Sequence, residues 1–446
     1  MYQKKLLWLL CATILSSQPA FAEESSKAEV SATPLAVAAT VPEKKSGGLT
    51  LDDAIAKALA SSPRLKSARA GILASEGEHL QAGAVPNPEL GVQAENFSGG
   101  GRYGGFDGSE VTLGVSQVIE LGGKRSGRVA VAEQEVAISR LGQTAERLDV
   151  IRDTAGAYAN AVAAQEMLKL AAEQKELASD LFKEVRERVD AAREPLIQKS
   201  KAEITVSTAN FAHERAGREL GHAKHVLSSL WAGHDDDFQL EEQDFFTLTP
   251  PMSETEVEAK MEQNPALQRY FVNHTRMQAK YELEKAQAIP DPRVNVGMRD
   301  FRDSGDQALV AGISIPIPVF NNNRGSIERA RHDISKAEND AQAARLSMIG
   351  EVHESLETQV NAYRQAETLK TAILPAAEKA FTLSRQGYRA GKFPYLEVLD
   401  AQRTLFEVRE QYIAVLKEYH TAKAEVERLT ATHASRIQNK GEHNEE

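Results

Sequence analysis

Apolar and polar positions alternate along this chain with two different periods, and the switches between them mark the elements. Leu90, Val92 and Ala94 interleave with Glu89, Gly91, Gln93 and Glu95. Val111, Leu113, Val115, Gln117 and Ile119 interleave with Thr112, Gly114, Ser116 and Val118. The same period returns in Val294, Val296 and Met298 against Arg293, Asn295 and Arg299, and in Leu309, Ala311, Ile313 and Ile315. A period of two predicts four β-strands of about ten residues, each with one apolar face. The Gly- and Asp-rich stretches 98–108 and 301–307 predict exposed hairpin ends. Two readings fit: hairpins packed on a soluble core, or strands that face lipid.

Helical spacing governs the remainder. A short helix over 51–60 and a second from 63 to about 83 stop at Val85-Pro86-Asn87-Pro88, because proline cannot continue the backbone ladder. Helices over 253–263 and 265–288 stop likewise at Ile289-Pro290-Asp291-Pro292. No proline falls between 123 and 191, and Leu141, Leu148, Ile151, Ala155, Tyr158 and Val162 keep heptad spacing. They predict a coiled-coil helix roughly 100 Å long. The alanines at 155, 157, 159, 161, 163 and 164 permit close helix approach. A turn at Arg193-Glu194-Pro195 sends the chain back to about 231. A helix over 324–390, a turn at Gly391-Lys392-Phe393-Pro394 and a return to about 429 repeat that course.

These echoes keep an offset near two hundred residues. Ser62-Pro63-Arg64-Leu65 returns as Asn264-Pro265-Ala266-Leu267, and the run 189–196 returns as 388–395. One helix–strand–strand–helix unit is therefore used twice, an internal twofold repeat. The expected organisation is a first repeat over 49–231, a linker over 232–252 and a second repeat over 253–430. The fold class is mainly α with a small β part: long antiparallel coiled-coil helices plus four strands. Four strands cannot close a barrel, which needs about eight. In lipid an open sheet edge costs several kcal/mol per unsatisfied backbone group. Embedded strands would have to be completed by further copies of the chain.

Composition narrows the setting. Lys4 and Lys5, the apolar run 6–15 and Ala20-Phe21-Ala22 read as a cleaved signal peptide over 1–22. Its apolar run is too short to span a bilayer. Cys11, the sole cysteine, lies inside that run, so the mature chain is expected to carry neither disulfide nor lipid anchor. Residues 23–48 and 431–446 read as flexible segments rich in small and charged residues. Net charge is −11, and −13 without Lys4 and Lys5, which argues against nucleic acid as a partner. No G-x-S-x-G, H-E-x-x-H or P-loop is present, so neither an enzyme nor a cofactor is expected.

The chain resembles the TolC-like outer-membrane efflux factors over nearly all of 49–430. The resemblance rests on Leu49-Thr50-Leu51-Asp52-Asp53-Ala54-Ile55, on Val85-Pro86-Asn87-Pro88, on the run 116–125 and on the run 391–402. The segment Glu120-Leu121-Gly122-Gly123-Lys124-Arg125 is most similar to the CzcC branch, which serves heavy-metal efflux. The resemblance implies a homotrimer whose strands form one 12-strand outer-membrane β-barrel, continued by a periplasmic α-barrel. It implies two protein partners, a periplasmic adaptor and an inner-membrane proton-driven pump of the RND class. The cargo of that branch is typically Co²⁺, Zn²⁺ or Cd²⁺. A duct for organic molecules or secreted polypeptides, and a non-pore periplasmic scaffold, remain as alternatives.

The resemblance also points to residues. The turns carrying Ala191, Ala192 and Arg193 and Ala390, Gly391 and Lys392 would be the periplasmic tips that meet the adaptor. Glu397 and Asp400 fall on acidic gate positions, and a threefold axis would make each a ring that concentrates cations. Read from the residues alone, Glu397 and Asp400 belong to a polar helix stripe continued by Thr404, Glu407 and Gln411. Tyr388 matches a tyrosine that ties neighbouring arms, and its partner position falls on Gln198, where an acid is usual. Phe393 stands where an arginine often helps, so the closing network is expected to differ here. His222 and His225, three apart on a helix, and His234 beside Asp235-Asp236-Asp237 are candidate metal ligands set against ordinary surface histidines. Lys124 and Arg125, between strand and helix, are candidate membrane-interface anchors set against ordinary surface charge.

Overall fold

Prolines and small capping side chains decide where the helices of this chain begin and end. The computed structural model describes residues 48–233 and 237–432. The expected signal peptide, most of the 23–48 lead-in, His234 and the tail from 433 lie outside the described residues. Helices α1 (Leu51–Ser61) and α2 (Pro63–Ala82) lead into strands β1 (Glu89–Glu95) and β2 (Glu110–Val118), then into α3 (Lys124–Asp190) and α4 (Leu196–Ser229). The order recurs as α5 (Glu254–Met261), α6 (Pro265–Gln287), β3 (Arg293–Phe301), β4 (Gln307–Ser314), α7 (Arg324–Thr368), α8 (Leu374–Arg389) and α9 (Tyr395–Leu429).

Thr50 closes a reciprocal capping box on α1: its hydroxyl accepts from Asp53 N at 3.1 Å, and the Asp53 carboxylate accepts from Thr50 N. Pro63 and Pro265 open α2 and α6 at the first turn, where a missing N–H costs nothing. Asn264 caps α6 and also donates to the last carbonyls of α9, Arg428 O at 3.0 Å and Leu429 O at 2.9 Å, pinning one helix start to another helix end. One expectation is corrected. The helix over 324–390 is not continuous: a π-helical turn, Leu369–Ile373, separates α7 from α8. Pro375 lies just beyond it. Proline lacks an N–H and crowds the carbonyl four residues back, and a wider turn relieves both.

The strands form one antiparallel sheet in the order β1-β2-β3-β4. The helices pack along small-residue seams. Ala202, Ala209, Ala216 and Ala223 are buried at strict seven-residue spacing on α4, so its backbone lies close to α3. The largest core cluster joins Tyr158, Ala161 and Val162 of α3 to Phe406, Ile413, Leu416 and Tyr419 of α9, with Leu240 and Phe245 of the connecting segment. Two tyrosines bolt that segment down: Tyr158 Oη donates to Glu241 O at 2.7 Å and Tyr419 Oη to Thr249 O at 2.7 Å.

Four helix ends share one motif. After α3, Arg193 N bonds back to Arg188 O and Ala192 N to Val189 O; after α8, Lys392 N bonds to Gly387 O and Gly391 N to Tyr388 O. The ends of α4 and α9 repeat the pattern at Ala232 and Ala431. The pivot residue has positive φ each time: Ala192 +56°, Ala232 +56°, Gly391 +72° and Ala431 +50°. Only Gly391 is the residue that this conformation favours. Ala192→Gly should therefore stabilise the chain by about 0.5–1 kcal/mol, read as a raised urea midpoint with unchanged slope. A lowered midpoint would show that the left-handed turn carries no strain.

Candidate functional site

The register of the sheet sorts its side chains into two faces. Leu90 opposes Val115 and Val92 opposes Leu113; Leu113 then opposes Met298, Val115 opposes Val296, and these meet Leu309 and Ala311. One apolar ribbon thus crosses all four strands. Nothing among the described residues covers it: Leu90, Val92, Leu309 and Ile313 are 68–81% exposed. The opposite face is polar and internally paired. Arg299 reaches Glu95 at 2.8 Å, Glu110 at 3.0 Å and the Thr112 hydroxyl at 2.9 Å, and Arg293 pairs with Glu89. A hairpin packed on a soluble core would bury the apolar face, and this sheet exposes it. The outer edges of β1 and β4 have no strand partner among the described residues.

Where β2 turns into α3, the motif Glu120-Leu121-Gly122-Gly123-Lys124-Arg125 gathers four elements. Gly122 and Gly123 both have positive φ, and a Cβ on Gly122 would fall 2.5 Å from Ile289 Cδ1. Lys124 pairs with Asp291 at 2.6 Å, and the other Asp291 oxygen accepts from Leu121 N at 2.8 Å. Arg125 donates to Gly83 O at 2.6 Å, capping the end of α2. Arg128 pairs with Glu120 through both carboxylate oxygens and donates to Ala82 O and Ala84 O. The Arg128 guanidinium holds the Glu120 carboxyl below the usual carboxylate range. The structure thus gives the candidate anchors Lys124 and Arg125 protein partners. Arg128 and Asp291 are their unforeseen counterparts.

At the far end, Ala191, Ala192, Arg193, Ala390, Gly391 and Lys392 are all exposed on the two turns. A cleft of about 450 Å³ between the turns is lined by Arg188, Arg193, Arg389 and Lys392 with Glu194 and Phe393. Phe393 covers Gly387 so closely that a Cβ there would overlap its ring. Tyr388 is fully buried, and burial pushes its hydroxyl up to about 12. The structure does not join it to Gln198, since neither Tyr388 Oη nor Gln198 Oε1 has a hydrogen-bond partner among the described residues. The charge-assisted ties come from residues that the sequence reading did not single out. Arg188 stacks on the Tyr388 ring at 4.1 Å and donates to Tyr388 O at 2.6 Å and Arg389 O at 3.0 Å. Glu184 accepts from Arg385 at 2.9 Å and from Arg389. Burial raises the Glu184 carboxyl, and the Arg389 and Arg385 guanidiniums outweigh it and hold it low.

Glu397 and Asp400 are exposed on the first turns of α9, with Thr404, Glu407 and Gln411 exposed after them. Neither carboxylate forms an ion pair among the described residues, whereas Glu407 pairs with Arg403 at 2.7 Å. His222 and His225 are exposed on α4, and among the described residues they join no metal-ligand group, whereas Glu254, Glu258 and His353 form one. The connecting segment adds a titrating contact. Glu166 of α3 faces Glu242, and Lys169 forms ion pairs with both. Burial, and then the hydrogen bond with Glu242, push the Glu166 carboxyl up to about 7, while the same bond holds Glu242 low.

Long packed helices that carry a small four-stranded antiparallel sheet, with one apolar face exposed among the described residues, define the class of protein. Its family is explicit. Residues 54–233 and 258–432 match the family described as Outer membrane efflux protein, and the chain belongs to that family. It is 28% identical to the cobalt-zinc-cadmium resistance protein CzcC of Cupriavidus metallidurans, over 96% of this chain and 99% of that one. It is 27% identical to the nickel-cobalt-cadmium resistance protein NccC of Alcaligenes xylosoxydans xylosoxydans, over 66% of this chain and 68% of that one. Among solved structures, the outer membrane protein VceC of Vibrio cholerae superposes with a TM-score of 0.70 at 18% identity, covering 85% of this chain and 95% of that one.

Two predictions follow from these contacts. Gly122→Ala combines a left-handed backbone with a 2.5 Å overlap and should cost about 2–4 kcal/mol, seen as a lowered unfolding midpoint; a neutral result would show that the junction relaxes freely. Glu166 has a folded pKa above its ordinary value, so its contribution is complete below the ordinary carboxylate range and is lost as pH rises through about 7. Glu166→Gln should therefore be more stable than wild type at pH 8, with the gap shrinking towards pH 5 in thermal melts. Parallel pH profiles would refute the coupling.

Proposed function

We propose that this chain is one subunit of a homotrimeric outer-membrane exit duct for divalent heavy-metal cations. The uncovered apolar ribbon with two open edges is the observation that carries the proposal. Three copies would supply twelve strands, enough to close a barrel, satisfy every edge and place all the apolar ribbons against lipid. The Arg293 and Arg299 networks would then face the wet lumen. The four helical tracks per chain would continue the barrel as a periplasmic tunnel, with the duplicated unit giving the assembly pseudo-sixfold regularity. The expected segmentation follows: a removed leader over 1–22, a lead-in over 23–48, repeats over 49–231 and 253–430 joined by 232–252, and a tail over 431–446. Lys124 and Arg125, locked to Asp291 and Gly83, would sit near the membrane boundary as structural ties.

The duct performs no bond chemistry. A proton-driven RND pump in the inner membrane would supply the energy, and a periplasmic adaptor would dock on the turns at Ala191–Arg193 and Ala390–Lys392. The polar tips and their basic cleft support that docking. Likeness to CzcC along nearly the whole length, and to NccC along two-thirds, supports cobalt, zinc or cadmium as cargo. Rings of Glu397 and Asp400, which form no ion pair among the described residues, would concentrate such ions at the narrow end. Tyr388 and Gln198 would gain partners across the closed tips.

Purified protein in a planar bilayer tests this reading. Wild type should conduct with cation preference, and Glu397→Gln combined with Asp400→Asn should weaken the preference while leaving the conductance. Unchanged selectivity would remove the gate assignment. A water-soluble monomer without conductance would remove the duct.

A further inference from the structure

We propose that Glu254, Glu258 and His353 form a binding site for one divalent metal ion of the Zn²⁺ and Co²⁺ type, on the flank of the helical body and away from both the strands and the tips. The placement rests on ordinary helix geometry. Glu254 and Glu258 are four residues apart and so project from one face of α5. His353 reaches the same spot from α7, roughly 40 Å along that helix from its strand-side start. Its Nδ1 lies 3.1 Å from a Glu254 oxygen and its Nε2 lies 3.8 Å from a Glu258 oxygen. One ligand atom from each of the three side chains falls within 4.8 Å of the others, the spacing that a single ion needs.

Two further observations separate this cluster from ordinary surface charge. First, its acids have no lysine or arginine partner among the described residues, whereas their neighbours do. Glu256 pairs with Lys260 at 2.9 Å and Glu262 with Arg345 at 2.6 Å. Two carboxylates thus converge on one imidazole with their charge uncompensated by a fixed cation. Second, the backbone beneath is rigid. Val257 and Val352, each adjacent in sequence to a ligand, are 0% and 1% exposed in one apolar cluster with Met261 and Met348. Packing therefore holds α5 against α7 before any ion arrives.

The donor set selects the metal class. Two carboxylate oxygens and one imidazole nitrogen, without thiolate, suit borderline divalent ions better than Cu⁺, and the imidazole disfavours Mg²⁺ and Ca²⁺. Binding requires a neutral imidazole, so the ion displaces any proton bridging His353 to the acids. Water would complete the coordination, since three protein ligands leave positions open. The ion would fasten α5 to α7 and strengthen the packing between them. The proposal uses intrachain contacts only and stands whether or not the chain forms a duct.

The test is titration of the purified full-length protein in detergent with Co²⁺, followed by visible absorption, and with Zn²⁺, followed by calorimetry and thermal melting. Wild type should bind one more equivalent per chain than His353→Ala, or bind it about tenfold or more tightly. Glu254→Gln with Glu258→Gln should lose the same equivalent. Glu256→Gln, at a paired neighbour, should keep it. Zn²⁺ should raise the melting temperature of wild type and of Glu256→Gln, but not that of the ligand variants. Circular dichroism checks that each variant folds, and the double Glu variant decides the matter if His353→Ala does not. The proposal is overturned if the ligand variants titrate like wild type, or if wild type binds neither ion. Bilayer conductance is read separately, so loss of this site leaves the duct reading standing.

Discussion

The sheet has an apolar face that no described part of the chain covers, and the rest of the architecture answers to it. Leu90, Val92, Leu113, Val115, Val296, Met298, Leu309 and Ile313 lie on one face of four strands, and the two outer edges have no strand partner among the described residues. In water such a sheet invites edge-to-edge aggregation, and in lipid its open edges cost several kcal/mol per group. Neither solvent accepts it as a single sheet. The polar face answers the opposite requirement. Its arginines lie within ladders of glutamate, serine and threonine, so charge on the face opposite the apolar ribbon is neutralised across neighbouring strands.

The helical body obeys different rules, and the junction is where they meet. Strands bury by alternation and helices by heptads, so a chain passing from one to the other must turn sharply without losing backbone partners. Gly122 and Gly123 make that turn with left-handed backbone, and Leu121 N, Gly83 O, Ala82 O and Ala84 O each find a side chain from Asp291, Arg125 or Arg128. The result is a rigid elbow. Asp291 draws the second proline turn into the same knot as the first long helix.

Local chemistry was legible in the sequence, and contacts between distant segments were not. Period-two runs gave four strands whose ends shift by a residue or two, with Ile119 and Ile315 falling just outside them. Prolines 63, 86, 88, 265, 290 and 292 marked boundaries that the backbone respects, and Pro375 carried the same signal for the π-turn before it. The site residues divide in the same way. That the tips would be polar turns was plain from 191–195 and 390–394. That Arg188 would stack on Tyr388, two hundred residues away, was not, because nothing in either neighbourhood encodes the pairing. His353 escaped for a related reason: its ligand partners lie on another helix, whereas His222 and His225 drew attention by sharing one.

The two ends of the chain also differ in how completely their polar groups are satisfied. At the strand end, the shielded Glu95 Oε2 lacks a hydrogen bond but pairs with Arg299 at 2.8 Å. At the tip, Tyr388 Oη, Gln198 Oε1, Gln402 Oε1 and Arg385 Nε are shielded and without a hydrogen bond. An unmade bond of this kind costs about 1–3 kcal/mol. Several in one region make it the part of the chain with most to gain from rearrangement or from a neighbour. Arg188 and Glu184 oppose that tendency by holding α3 to α8, so the balance at the tip is between ties within one subunit and polar groups that only other contacts can satisfy. The tip thus holds more shielded, unbonded polar groups than the strand end, and it is there that further contacts would add most hydrogen bonds.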